Sequence, residues 1–375
     1  MKTASPVYTK KRATYLISRW LFLRLLGLIY LVAFISLWTQ VHGLIGRQGI
    51  LPAGAYLNAA LRQLGEEAYL RLPTLCWFGA SDACLSGLCA VGTILSLLLV
   101  VGMLPKLVLV GLWAVYLSLS VVGQVFLSFQ WDTLLLETGF FAIFYAPMSP
   151  IPGISREKPP SDPARWLLWW LLFKLMFLSG VTKLLSGDPT WRDLTTLTLH
   201  YQTQPIPNWI SWYAHQLPEM LQKASVVLMF IVELVVPCFI FSPRILRHLA
   251  CALLLLFQIS IEITGNYGFF NLLTIVLCIA LLDDQLLRRL TPGRWTAWLP
   301  PEPTAIPADI QPSPDKEAPE STEPDIRRVG HVSTPSPTRQ VGWQLSAIFI
   351  GAMILLWISI LTFLQEMVRS QDPAT

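Results

Sequence analysis

The sequence predicts an all-α fold: a polytopic transmembrane helical bundle of about eight to nine spans, carrying an ordered polar loop on its non-cytosolic side. Three observations predict it. Of the 375 residues, 54% are hydrophobic and only 13% charged, and the mean hydropathy is +0.54, too apolar for a soluble chain of this size. Long apolar runs alternate with short breaks of charge, Pro and Gly, as helical spans do, whereas strands of a membrane barrel alternate polar and apolar residues. Between two of these runs, residues 187–223 form an island dense in Trp, Tyr, His and Pro.

The elements follow in order. Residues 1–19 are a basic N-terminus with Lys2, Lys10, Lys11, Arg12 and Arg19, and the apolar run 20–38 comes next. That run is too long for a signal-peptide core, and Gln40-Val-His-Gly-Leu-Ile-Gly offers no small-x-small cleavage site, so it is an anchored span. Runs 83–102, 107–129, 166–185, 224–241, 249–264 and 343–364 read as further spans. Runs 132–146 and 268–282 are short and follow tight turns; each is either a span or a re-entrant or tilted element. Residues 20–290 are thus the transmembrane domain. Residues 291–342, rich in Pro, Ser, Thr and charge, read as a disordered cytosolic linker before the final span 343–364 and a short tail, 365–375.

Lys and Arg near span ends favour the cytoplasmic side, which places the N-terminus in the cytosol. Alternating across nine spans then puts Lys106, Arg156 and Lys158, Arg244 and Arg247, and Arg288, Arg289 and Arg294 on that side too. The loops 40–82 and 187–223 and the C-terminal tail fall on the opposite, luminal or periplasmic, face. The net charge of +4 comes largely from these loop cations and implies no nucleic-acid partner; membrane lipid is the expected surround. Six cysteines, at 76, 84, 89, 238, 251 and 278, have neither CxxC nor zinc spacing, so no metal is expected. Cys76 is placed to pair with Cys84 or Cys89, or to stay free.

Ionisable residues within spans cost roughly 2.5 to 3.5 kcal/mol each on insertion scales and are expected to face the protein interior with a partner. The set is Asp132, Glu137, Lys174, Lys183, Glu233 and Glu262. Counting depth from the cytosolic ends makes Lys174 and Glu233 the expected ion pair. Asp132, Lys183 and Glu262 fall nearer the outer ends, close to the 187–223 loop. These charges are either a proton relay or pocket, or pairs that fix helix register.

Within the loop, Asp188, Trp191, Arg192, Asp193, His200, Tyr201, Trp209 and Trp212 are the candidates for contact with a client protein. Asp188 before Pro189 reads as a turn start, with a short surface helix beginning at Trp191. Trp191, Trp209, Trp212 and Tyr213 suit either an interfacial aromatic belt or a binding surface. The run Gln204-Pro-Ile-Pro gives a stiff, extended segment that favours binding over catalysis. His200 and His215 are too far apart in sequence to assign as metal ligands.

Several blocks occur in fixed order along the chain: Gly43-Leu-Ile-Gly, Gly49-Ile-Leu-Pro and Pro73-Thr-Leu-Cys-Trp; Phe129-Gln-Trp-Asp-Thr-Leu-Leu-Leu-Glu-Thr-Gly-Phe; and Phe173-Lys-Leu-Met-Phe-Leu-Ser-Gly-Val-Thr-Lys. Gly187-Asp-Pro-Thr-Trp-Arg-Asp, His200-Tyr-Gln-Thr-Gln-Pro-Ile-Pro-Asn, Val232-Glu-Leu-Val-Val-Pro and Gly265-Asn-Tyr-Gly-Phe-Phe-Asn follow. Together, dispersed over most of residues 15–285, they resemble the lipase maturation factor family. The resemblance implies a multi-pass protein of the endoplasmic reticulum membrane, or of the plasma membrane if the source is bacterial. It further implies a role in folding and assembly of secreted dimeric lipases, with loop 187–223 as the client-facing part. The membrane part of that family is also similar to vitamin K-dependent carboxylases, which keeps an enzyme reading open. Family members continue into a soluble C-terminal domain, whereas this chain stops at Thr375, so a truncated, split or membrane-only member is expected.

Three functional classes follow. A folding or assembly factor would bind a secreted client; an enzyme would depend on Lys174, Lys183 or His200 and a small cofactor; a transporter would show broken spans at paired positions. The stretches Glu137-Thr-Gly-Phe-Phe and Glu262-Ile-Thr-Gly-Asn-Tyr-Gly-Phe-Phe hint at such a repeat. The first class is the expectation, with no catalytic residue assigned and no cofactor.

Overall fold

The computed structural model describes residues 13–152, 157–204, 206 and 208–293. Most of the basic N-terminus, Pro205 and Pro207, the linker beyond residue 293, the run 343–364 and the tail lie outside the described residues. The described chain is helical, with no strand. In order it forms α1 (Leu16–Ile45), α2 (Ala53–Leu64), α3 (Glu67–Arg71), α4 (Asp82–Val101), α5 (Pro105–Gly123), α6 (Gln130–Tyr145) and α7 (Asp162–Leu185). Then come α8 (Pro189–Arg192), α9 (Thr196–Thr203), α10 (Trp209–His215), α11 (Glu219–Phe230), α12 (Arg244–Thr264), α13 (Phe270–Ile279) and α14 (Asp284–Leu290).

Helices α1, α4, α5, α6, α7, α11, α12 and α13 run alternately up and down between a Tyr15 end and an Ile45 end. Paired contacts fix this alternation. At the Ile45 end His42 meets Ser86 (2.7 Å), while at the Tyr15 end Arg247 of α12 donates to the Tyr15 hydroxyl (2.9 Å). The short helices α2, α3, α8, α9 and α10 all gather at the Ile45 end.

Six helices are long and apolar enough to cross a membrane: Leu16–Ile45, Asp82–Val101, Pro105–Leu127, Asp162–Leu185, Glu219–Phe241 and Arg244–Thr264. The pair Phe270–Ile279 and Asp284–Leu290, bent by 111°, makes a seventh if it is one span. The described residues therefore hold six to seven; of the eight runs expected within them, 132–146 and 268–282 fall short, and the ninth, 343–364, lies outside. Length is the reason. The 16 residues of α6 and the 10 of α13 reach about 24 Å and 15 Å at 1.5 Å per residue, short of a ~30 Å hydrocarbon core.

Though short, α13 is central, packing against α1, α6, α7 and α12 with Leu273, Leu277 and Cys278 buried. Its connection to α14 is tied down from both sides. Asp284 accepts the N–H groups of Leu16 and Ile17 (2.9 and 2.8 Å), satisfying donors that the first turn of α1 leaves open. Asp283 takes a forked contact from Arg244 and caps α14 through Leu286 N–H. In the core, Tyr30, Phe34 and Tyr116 meet edge-on or stacked at centroid distances of 5.5 to 6.1 Å.

All six cysteines are free. Cys251 and Cys278 are buried as small apolar groups, whereas Cys238 is exposed.

Candidate functional site

Helix α7 carries Ser179, Gly180 and Lys183 within one turn, so they share a face. That face meets α11 and its continuation, where the helix widens into a π turn over Ile231–Val235 and tightens into a 3-10 turn over Val236–Phe241. Pro237 explains the break: it has no N–H to give the Glu233 carbonyl four residues back, so the α-helical ladder cannot continue. Gly180 lets the two rods approach, since a Cβ there would press on Leu234 and on Glu233 Cβ.

The π turn presents Glu233 to α7. Lys183 Nζ lies 2.5 Å from Glu233 Oε1 and 3.0 Å from Ser179 Oγ, and the Ser179 hydroxyl donates to the same Oε1 at 3.2 Å. Glu233 is only 3% exposed, and its second oxygen has no hydrogen-bond partner. Above this triangle Trp191 of α8 places its ring 5.6 Å from Lys183 Nζ and packs edge-on against Phe230.

Next to it, His200 of α9 hydrogen-bonds the Tyr267 hydroxyl through Nε2 (2.8 Å), with the two rings nearly parallel. Burial, and then the nearby Lys183 charge, hold the His200 pKa below its usual value. Burial pushes the Tyr201 and Tyr267 phenols up. A neutral imidazole, hydrogen-bonded to the Tyr267 phenol, therefore lies near the lysine that Glu233 engages.

The loop is held to α12 by side-chain amides. Asn208 donates to the carbonyls of Ile263 (2.8 Å) and Gly265 (3.3 Å), and Gln204 donates to that of Thr264 (3.2 Å). Helix C-termini leave carbonyls unpaired, and these amides answer that need. Asn208 also forms a capping box with Ser211, starting α10. The result fixes a seven-residue helix whose Trp209, Trp212 and Tyr213 are 87%, 62% and 67% exposed.

The sequence-predicted residues divide accordingly. Asp188 caps α8, accepting from the N–H and hydroxyl of Thr190. Trp191 and His200 enter the site, Tyr201 borders it, Arg192 and Asp193 are exposed, and Trp209 and Trp212 form the outer aromatic surface. His215 is bonded to Gln202 (2.6 Å), whereas His200 is bonded to Tyr267.

The expected pairing of Lys174 with Glu233 is corrected. Lys174 instead meets Glu137 of α6 at 2.6 Å, and Glu233 meets Lys183. Lys183 follows Lys174 by nine positions, about 13.5 Å and two and a half turns of helix, so the two point to opposite sides and face different neighbours. Asp132 turns to the Tyr116 hydroxyl (2.5 Å), and Glu262 accepts from Asn271 (3.1 Å). The six intramembrane ionisable groups form separate pairs, not one network, and of them only Lys183 and Glu233 enter this site. Sequence reasoning missed Ser179, Gln204, Asn208 and Tyr267. The Asn208-Trp-Ile-Ser spacing of a capping box was a readable signal for one of them.

Fold and composition define an integral, multi-pass helical membrane protein. The lipase maturation factor transmembrane domain model matches residues 17–289, and the chain belongs to that family. Lipase maturation factor 2 of Xenopus laevis is 51% identical over 266 residues, covering 68% of this chain and 38% of the relative. The Homo sapiens protein of the same name is 46% identical over 290 residues, covering 72% and 40%. Lipase maturation factor 1 of Bos taurus is 38% identical over 291 residues, covering 76% and 52%. The chain thus spans about half or less of these relatives' length. No solved structure matches it.

Proposed function

We propose that this chain is a membrane-embedded folding or assembly factor that offers the Ile45 end of its bundle to secreted client proteins. The family supports the class of function, and the names of the relatives point to lipases as clients where the source is an animal. One observation carries the site: α10 exposes Trp209, Trp212 and Tyr213 on a helix that Asn208 and Gln204 hold rigidly to α12. Aromatic groups fixed before binding give large contact area at small entropic cost. The gathering of Lys106, Arg165, Arg244 and Arg247 near helix starts at the Tyr15 end supports a cytosolic position for that end and a luminal one for α10.

The test is a pull-down of the tagged protein from native membranes, comparing wild type with a Trp209→Ala/Trp212→Ala double variant. Client recovery should fall at least fivefold while abundance and membrane insertion stay unchanged. Equal recovery would remove α10 as the client surface. The unpartnered oxygen of buried Glu233, beside Lys183 and Ser179, favours a second reading as a membrane-embedded enzyme. Under it, Lys183→Met would abolish function in a protein that still recovers its clients.

A further inference from the structure

We propose that a cleft at the Tyr15 end of the bundle, built around Arg24, binds the phosphate of a glycerophospholipid headgroup. The argument begins with depth. Helix α4 has 20 residues, about 30 Å at 1.5 Å per residue, which matches a hydrocarbon core. Its two ends are registered on α1: His42 Nε2 lies 3.2 Å from the Asp82 carbonyl, and Arg24 reaches the Val101 carbonyl at 3.4 Å. The 18 residues between Arg24 and His42 rise about 27 Å. Arg24 therefore stands at a hydrocarbon–headgroup boundary, and the first two turns of α1, with Arg19 and Trp20, project into the headgroup layer.

Among the described residues, Arg24 has no carboxylate within ion-pair distance, whereas Arg19, Arg165 and Arg244 each have one and Arg247 donates to the Tyr15 hydroxyl and the Leu281 carbonyl. Its contacts are the long one to Val101 and the Trp20 ring, 4.8 Å from its guanidinium carbon. The backbone makes room for it. Gly102, whose φ of 91° favours glycine, closes α4, and the tip of the Arg24 side chain lies over it. An arginine without a carboxylate partner at this depth leaves donors free for an external anion.

Beside it lies a shallow cleft, open to solvent, lined by Arg19, Trp20, Arg24, Pro147, Pro152 and Glu157. Glu157 is already engaged by Arg19 at 3.4 Å, which leaves the Arg24 guanidinium without a carboxylate partner among the lining residues. Leu16 and Leu23 add apolar lining to it, and Trp20 is an interfacial aromatic. A guanidinium fork suits two phosphate oxygens, while acyl chains would run along the exposed flank of α1 below Arg24, where Leu28, Val32 and Ile35 stand open.

The experiment uses the full chain in a maltoside detergent free of phosphate, and follows its melting temperature during titration with dioleoyl phosphatidylglycerol. Separate arms use dioleoylglycerol, which lacks the phosphate, and inorganic phosphate alone. Phosphatidylglycerol should raise the melting temperature, and neither other arm should. Arg24→Gln should need at least tenfold more lipid for the same shift, Arg24→Lys an intermediate amount, and Arg62→Gln, on exposed α2, no more than wild type. Native mass spectrometry of the wild type, which does not depend on any variant folding, should retain one phospholipid per chain. An unchanged response of Arg24→Gln, an equal shift with dioleoylglycerol, or no retained lipid would overturn the proposal. A shift with inorganic phosphate alone would overturn the assignment to lipid.

Discussion

Lys183 and Glu233 join α7 to the π turn of the neighbouring rod, with Nζ and Oε1 2.5 Å apart and Ser179 bridging both. The carboxylate is buried and the lysine largely so, which sets an asymmetry. Removing one partner strands the other charge, whereas removing both strands neither.

Lys183→Met should therefore destabilise the protein by about 3 kcal/mol, the lower end for breaking a buried pair because Lys183 keeps some exposure. Lys183→Met/Glu233→Met should lie within about 1 kcal/mol of wild type, since two apolar side chains of similar volume fill the same space. Reversible unfolding in mixed micelles measures both. A double variant as unstable as the single one would show that the pair gives net stability and is not merely a compensated burial.

Asn208 gives a different kind of prediction, because it acts at the loop and not on the bundle. Asn208→Ala removes the α10 cap and two of the three amide contacts to the end of α12. A lost cap costs about 1 kcal/mol, and that energy corresponds to roughly fivefold faster opening. Hydrogen exchange should speed up by about that factor across residues 208–215 while the amides of α1 and α4 keep their rates. Uniform acceleration throughout the chain would mean that the loop is part of the global folding unit.

These two cases mark what the sequence could and could not reveal. Hydropathy locates α1, α4, α5, α7 and α12, because twenty or so apolar residues in a row have few other uses. It carries no information on rotation about a helix axis, which is why Lys174 was matched with Glu233. The two and a half turns between Lys174 and Lys183, and the π turn that Pro237 imposes around Glu233, decide the partners. The polar stretch was legible as ordered from its aromatic content, but its anchors, Gln204 and Asn208, bond backbone carbonyls of α12. Any polar side chain of the right length can make such contacts, so composition does not single them out. Asp188 looked functional for the same residue chemistry that makes it a cap.

His200 supplies the pH-dependent prediction. Its imidazole is held below its ordinary pKa first by burial and then by Lys183, and the groups around it are Lys183 from α7, Tyr201 from its own helix and Tyr267 from the α12–α13 turn. In the folded protein the ring stays neutral and keeps its hydrogen bond with the Tyr267 hydroxyl. In the unfolded chain it protonates near the ordinary histidine value of about 6.5. Below that pH the unfolded state binds a proton that the folded state does not, so stability falls as pH drops through 6.5 toward the lower folded pKa, and is flat above it. His200→Gln keeps a hydrogen-bonding side chain without the titration. The melting temperature of wild type should fall more steeply than that of His200→Gln between pH 7.0 and 5.0 (~2 pH units around the ordinary histidine value), and the two curves should run parallel above pH 7. Parallel curves over the whole range would mean that His200 titrates alike in the folded and unfolded chain, and that the contact with Tyr267 does not depend on its charge.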